Sequence, residues 1–237
     1  MRPEVIVDTR SALANVFLHR FEAKTRDAVA ARGRFTCALP GGSVAETFFP
    51  ALVGAKVDWR RVELFWGDER AVPPSDPASN YGLARRLWLD HVPLDPACVH
   101  PIHGENPDLD AAAKAYANEL AIALGGRPLD LVLLGMGPEG HVCSLFPGHA
   151  ALRESTRLVI AVRDSPKPPP ERVTLTLAPI RGADLVCVAA FGGEKAAAVR
   201  EAVEVPDSRL PVALAARAGL RALFLLDDAA AAGLGAR

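Results

Sequence analysis

The segment Leu134-Gly135-Met136-Gly137-Pro138-Glu139-Gly140-His141 sets a histidine in a glycine-rich loop behind an apolar run. An imidazole with an unperturbed pKa of about 6.5 is largely neutral near pH 7 and can take a proton, so His141 reads as a general base. Glu139, two residues earlier, is placed to orient the ring or to tie down loop N–H groups. Gly135, Gly137 and Gly140 also spell G-x-G-x-x-G, with Asp164 downstream at a suitable distance for a ribose contact. Two features speak against a dinucleotide site. Pro147-Gly148 leaves no room for the long helix that the fingerprint needs, and His141 sits where a pyrophosphate requires bare backbone.

Three other segments offer groups for an anionic ligand. Leu39-Pro40-Gly41-Gly42-Ser43 places two glycines between a strand and a helix, with Ser43 in position to cap it. Free N–H groups at such a helix start favour phosphate, although the same residues would serve an ordinary tight turn. Phe65-Trp66-Gly67-Asp68-Glu69-Arg70, followed by Ser79-Asn80-Tyr81, ends an apolar strand in charge. There Arg70 can clamp a phosphate and Asp68 can accept from sugar hydroxyls; a solvated strand end with a surface ion pair is the alternative. Gly192-Gly193-Glu194-Lys195 and the Arg172 of Arg-Val-Thr-Leu-Thr-Leu supply two further cations whose use depends on the fold. Two constellations are set aside. Cys98, His100 and His103 have zinc-like spacing but lie in a Pro-rich connection without a further clear ligand pair. Ser144 and Cys143 lack the G-x-S-x-G elbow of a nucleophile.

The elements that must position these groups alternate along the chain. Strands are expected at 5–7, 34–39, 62–66, 129–134, 157–162, 172–177, 185–190 and 220–226, several of them continuously apolar as in Asp130-Leu131-Val132-Leu133-Leu134. Helical patterns run over 9–32 and begin near Ser43, Ser79, Asp108, Glu194 and Val212. This alternation predicts an α/β fold with a mainly parallel sheet, whose ligands lie beyond the carboxyl ends of the strands. The Pro-rich run 165–170 joins two strands and reads as an ordered loop within one domain spanning 1–237. A net charge of −1 argues against a nucleic-acid partner. No apolar run approaches the roughly 20 residues of a membrane span, and no secretory signal is evident. Cys37, Cys98, Cys143 and Cys187 show no C-x-x-C spacing, so four reduced thiols in a cytoplasmic protein are expected.

In these segments the chain resembles the 6-phosphogluconolactonase family, within the wider glucosamine/galactosamine-6-phosphate isomerase superfamily. The matching elements keep the family's order: Leu-Pro-Gly-Gly-Ser at 39–43, Trp-Gly-Asp-Glu-Arg at 66–70 and Ser-Asn-Tyr at 79–81. They continue with Gly-Met-Gly-Pro-Glu-Gly-His and Ser-Leu-Phe-Pro-Gly within 135–148, Ser-Pro-Lys-Pro-Pro-Pro-Glu-Arg-Val-Thr-Leu-Thr at 165–176, and Lys195. The chain departs from the family's usual Asp at Glu139 and from its commoner Thr-Ala at Val142-Cys143. The resemblance implies a Rossmann-like parallel sheet with helices on both faces, and hydrolysis of a sugar-phosphate lactone by water activated at His141. It implies a catalytic group of His141, Glu139 and Asp68. Gly41, Gly42, Ser43 and Arg70 would bind substrate, together with Asn80, Gly137, Arg172 and Lys195. No metal or organic cofactor is implied, because a lactone is already an activated ester. Neither nucleic acid nor membrane is an expected partner, and the chain is expected to be a monomer or a weak homo-oligomer. An amino-sugar-phosphate deaminase or isomerase, or a non-catalytic sugar-phosphate-binding regulator, are the alternatives on the same fold.

Overall fold

Thr9 accepts a hydrogen bond from the Ala12 N–H at 3.3 Å, and Gly33 closes the far end with φ +78°. Between them the helical pattern becomes α1 (Arg10–Arg32), preceded by β1 (Glu4–Val7). The computed structural model describes residues 3–235. The chain continues as β2 (Phe35–Leu39), α2 (Gly42–Leu52), β3 (Val62–Trp66), β4 (Asp68–Arg70), α3 (Asn80–Leu87), β5 (Val99–His100) and α4 (Leu109–Leu124). Then come β6 (Leu131–Gly135), β7 (Val159–Val162), β8 (Arg172–Leu175), β9 (Leu185–Ala190), α5 (Ala196–Glu204), α6 (Pro211–Ala218), β10 (Ala222–Leu226) and α7 (Asp228–Ala231).

A seven-stranded sheet runs in the order β1-β10-β9-β6-β2-β3-β5, and its pairings are all parallel. Every residue of β2 and β9 is buried, as continuously apolar strands require when helices cover both faces. Aromatic contacts tie α1 to its neighbours: Phe17 stacks on Phe48 at 5.1 Å, and Phe21 meets Trp59 and Trp88 at 6.0 and 6.1 Å. Truncating either Phe to Ala would cost about 3–5 kcal/mol. After β2 the chain moves outward to β3 and β5, then returns to place β6 on the other side of β2. That reversal opens a crevice at the carboxyl ends of β2 and β6, where ligands bind in open α/β sheets.

Three strands leave the parallel sheet. Asp68-Glu69-Arg70, expected to be the charged end of a longer strand, is a strand of its own. It pairs antiparallel with β8, which pairs antiparallel with β7. Gly67 makes the transfer: its N–H donates to Leu39 O in the main sheet, and its own carbonyl accepts from Leu175 N, each at 2.8 Å. A Cβ on Gly67 would lie 2.8 Å from Cys143 Sγ, so the crossing has no room for a side chain. The Pro-rich run joins β7 to β8 and is closed by Ser165 N–H donating to Pro170 O at 3.0 Å.

In the connection around β5, His100 stacks on Phe65 at 4.5 Å and His103 bonds Glu105 at 3.1 Å. Among the described residues no group of three or more metal-ligating side chains is gathered, and no helix is long and apolar enough to cross a membrane.

Candidate active site

At the switch point β2 ends in Leu39-Pro40 and gives way to α2. Gly41 is the N-cap of that helix and no side chain caps it. Ser43, expected as the cap, lies instead within the first turn, where its carbonyl accepts from the Thr47 hydroxyl at 2.7 Å. Packing explains the change: a Cβ on Gly41 would fall 1.7 Å from Asn80 Oδ1. The first N–H groups of α2 therefore face the crevice without a side-chain partner, a setting that favours an anion.

One wall of the crevice comes from the second sheet, where Arg70 of β4 lies opposite Arg172 of β8. Asp68 supplies the counter-charge. Its Oδ2 is 3.6 Å from Arg172 Nη1 and accepts from Ser144 Oγ at 2.7 Å. Asn80 Nδ2 donates to the Asp68 carbonyl at 2.8 Å and to Asp68 Oδ1 at 3.2 Å. Among the described residues its own Oδ1 is buried without a partner, as is Arg70 Nε. A buried polar group in that condition costs roughly 1–3 kcal/mol, which a bound polar ligand would relieve. The two arginines differ in what remains free. Arg172 donates from Nε to Pro169 O at 3.1 Å and from Nη2 to the carbonyls of Pro168 and Lys167 at 3.1 and 3.2 Å. It thus clasps the Pro-rich loop, whereas among the described residues the Arg70 side chain donates to a single carbonyl, that of Ala78.

The opposite wall is the loop after β6. Gly137 N–H donates to His141 O at 3.0 Å and Gly140 N–H to Gly137 O at 2.9 Å, folding the loop back on itself. Gly140 takes φ +85°. Gly137 is required for another reason: a Cβ there would lie 2.1 Å from His141 Nδ1 and 2.7 Å from Glu139 Oε2. His141 Nδ1 is 2.8 Å from Glu139 Oε1, and the ring packs on Phe146 with centroids 4.6 Å apart. With Nδ1–H donating to the carboxylate, Nε2 is left as the basic nitrogen of the neutral ring. Burial pushes the imidazole below its ordinary 6.5, against the opposing pull of Glu139. Two residues beyond His141, the half-buried Cys143 has its thiol pushed well above the usual cysteine range by loss of solvent and by the charge of Asp68.

Lys195 enters from the 3₁₀ turn before α5 and is only 9% exposed. Among the described residues its ammonium makes no hydrogen bond or ion pair, and burial lowers its pKa. The residues singled out from the sequence meet here. All of them line one cleft of about 170 Å³ except Glu139, which bonds the histidine from outside that lining.

Residues 8–224 match the family model described as glucosamine-6-phosphate isomerases/6-phosphogluconolactonase. The chain belongs to this family. It is 46% identical over 225 residues to the 6-phosphogluconolactonase of Mycobacterium leprae, covering 90% of each protein. It is 41% identical over 247 residues to that of Streptomyces coelicolor, covering 98% of this chain and 95% of the relative. A solved 6-phosphogluconolactonase from Trypanosoma cruzi superposes with a TM-score of 0.87 at 28% identity, covering 99% of this chain and 98% of the other.

Three residues of this family member's site escaped the sequence reading. Glu69 caps α3 from behind, accepting from the N–H groups of Asn80 and Tyr81 at 2.8 Å and from Ser79 Oγ at 3.0 Å. Strand alternation was the available signal, since Asp68 and Arg70 on one face send Glu69 to the other. Ser144 was weighed only as a nucleophile, and its hydroxyl is spent on Asp68. Lys167 pairs with Glu139 at 3.0 Å, a contact for which the sequence offered no signal.

Proposed function

We propose that this chain is a carboxylic-ester hydrolase that converts 6-phospho-D-glucono-1,5-lactone to 6-phospho-D-gluconate, with His141 as general base. The observation that carries this reading is the oriented His141–Glu139 pair opening on the same cleft as the unpartnered Lys195 ammonium. A cleft with a base on one side and a free cation on another suits a substrate with a carbonyl at one end and a phosphate at the other. Family membership agrees with that choice.

In the proposed reaction Nε2 of His141 takes a proton from water as its oxygen attacks the lactone carbonyl carbon. Negative charge gathers on the carbonyl oxygen, where cleft cations and N–H groups stabilise it. The tetrahedral intermediate collapses with cleavage of the bond to the ring oxygen, and the imidazolium returns its proton to that oxygen as it becomes a hydroxyl. Lys195, Arg70 and the Gly41-Gly42-Ser43 turn hold the phosphate, while Asp68 and Asn80 face the sugar hydroxyls. Gly137 lets the imidazole and its carboxylate lie flat on the loop, and Arg172 secures the wall that carries Asp68. Proton transfer and electrostatics suffice for an activated ester, so no step calls for a cofactor. We read the enzyme as one unit over 1–237, monomeric or weakly self-associating, in the reducing cytoplasm that its four free cysteines suit.

The test is a pH-stat assay on freshly prepared 6-phosphogluconolactone, corrected for spontaneous hydrolysis. Acid release well above the uncatalysed rate is expected. A rate equal to the blank, or ammonia release from an amino-sugar phosphate in its place, would overturn the reading.

A further inference from the structure

A glutamate on an exposed turn has three rotatable side-chain bonds, and one hydrogen bond to a ring nitrogen does not choose among its rotamers. Glu139 is engaged at both oxygens: Oε1 lies 2.8 Å from His141 Nδ1, and Oε2 lies 3.0 Å from Lys167 Nζ. Lys167 belongs to the loop between β7 and β8, and its backbone is itself held. Its carbonyl accepts from Ser165 Oγ at 2.9 Å and from Arg172 Nη2 at 3.2 Å. Arg172 in turn stands 3.6 Å from Asp68. The contacts form an arc that leaves the cleft at Asp68, passes through Arg172 and Lys167, and re-enters at His141 by way of Glu139.

We infer that Lys167 is a positioning residue: by clamping the second oxygen of Glu139 it fixes the carboxylate against Nδ1, so that His141 meets the cleft with Nε2 unprotonated. The inference rests on His141 acting as the base. Lys167 and Glu139 are 40% and 37% exposed as side chains, and an ion pair that open adds little to stability. Its loss therefore leaves the fold standing and is felt in the state of the ring. Free imidazole in water prefers the proton on Nε2, so an unclamped Glu139 lets the ring return toward the tautomer that cannot accept a proton from water.

The experiment compares wild type, Lys167→Met and Lys167→Arg by imidazole ¹⁵N NMR at a pH where the ring is neutral, alongside kinetics on 6-phosphogluconolactone and on the phosphate-free glucono-δ-lactone. The wild type should carry its proton on Nδ1, and Lys167→Met should show a mixture of tautomers. By analogy with other outer-contact losses, kcat should fall about 5- to 30-fold on both lactones, with KM within about twofold. Lys167→Arg, which keeps the cation, should restore the tautomer and most of kcat. A wild-type tautomer and wild-type kcat in Lys167→Met would overturn the clamp. So would a loss carried by KM and confined to the phosphorylated lactone, which would make Lys167 a phosphate ligand. A changed tautomer with unchanged kcat would uphold the clamp and remove His141 from the proton transfer, so the two readings fail separately.

Discussion

Glu69 and Glu139 serve opposite walls of one cleft and are held in opposite ways. Glu69 is 1% exposed and accepts from three backbone N–H groups, those of Arg70, Asn80 and Tyr81, and from the Ser79 hydroxyl. Burial raises its pKa in spite of those donors. Glu139 stands 37% exposed and meets two side chains, His141 and Lys167. Burial works upward there as well, but its own backbone N–H, Lys167 and His141 together outweigh it and keep the carboxyl below the usual range. Backbone donors cannot swing away, so Glu69 builds a fixed frame for Arg70 and Asn80. Side-chain partners can rearrange and titrate, so the Glu139 wall is where a proton can be managed.

The largest effect should come from the adjustable wall. His141→Ala is expected to lower kcat by about 10²–10⁴-fold with little change in KM, measured by initial rates on 6-phosphogluconolactone. Near-normal turnover would reduce that wall to scaffold and erase the contrast. In the wild type, burial lowers the imidazole pKa, so the base stays available through neutral pH. The midpoint of the acid limb of kcat/KM should lie below the ordinary histidine value, as the ring gains its proton.

The frame is broken at Glu69. Glu69→Gln keeps the volume but turns an NH₂ group toward N–H donors, leaving some of them unsatisfied. A loss of about 3 kcal/mol in urea unfolding is expected, on the order of 6–12 °C in Tm for a chain of this size. If the variant unfolds like the wild type, the frame draws its rigidity from elsewhere.

Lys195→Ala should lower kcat/KM about 10- to 150-fold, the worth of a charge-assisted contact of ~1.5–3 kcal/mol. The loss should shrink on glucono-δ-lactone; equal losses on both lactones would move Lys195 from the phosphate to the carbonyl.

The smallest effect sharpens the comparison. Glu139→Asp shortens the arm but keeps both oxygens, and should stay within about tenfold of wild type, whereas Glu139→Ala should lose about 10–100-fold. Glu139 favours the imidazolium, so its removal should also shift the acid limb of kcat/KM to lower pH. An Ala variant that matches wild type in rate and profile would make Glu139 a bystander.

How far each wall was legible follows from the same contrast. The glycines at 41 and 137 stood out as motifs that let backbone approach a ligand; the structure adds a second reason, close packing on Asn80 in one case and on the His141–Glu139 pair in the other. The parallel sheet was readable from its continuously apolar strands. Of the second sheet, β7 and β8 fall within expected strands, whereas β4, only Asp68–Arg70, could not be told from the charged end of the strand before it. Ser43 misled because a serine at a helix start is normally a cap, and here the cap position is given to a glycine that leaves the N–H groups free.

By itself the sequence determined which groups exist and which backbone each can ride on, since strand periodicity, glycine turns and the histidine loop are local properties of neighbouring residues. Only the tertiary structure decided their condition. Ser144 meets Asp68 across 76 positions and Lys167 meets Glu139 across 28. The same folding binds Arg172 to loop carbonyls, seals Glu69 and leaves Lys195 without a partner among the described residues. Hydrogen bonds and charge pairs act over a few ångströms of space, and separation along the chain says nothing of that distance until the sheets have brought the loops together.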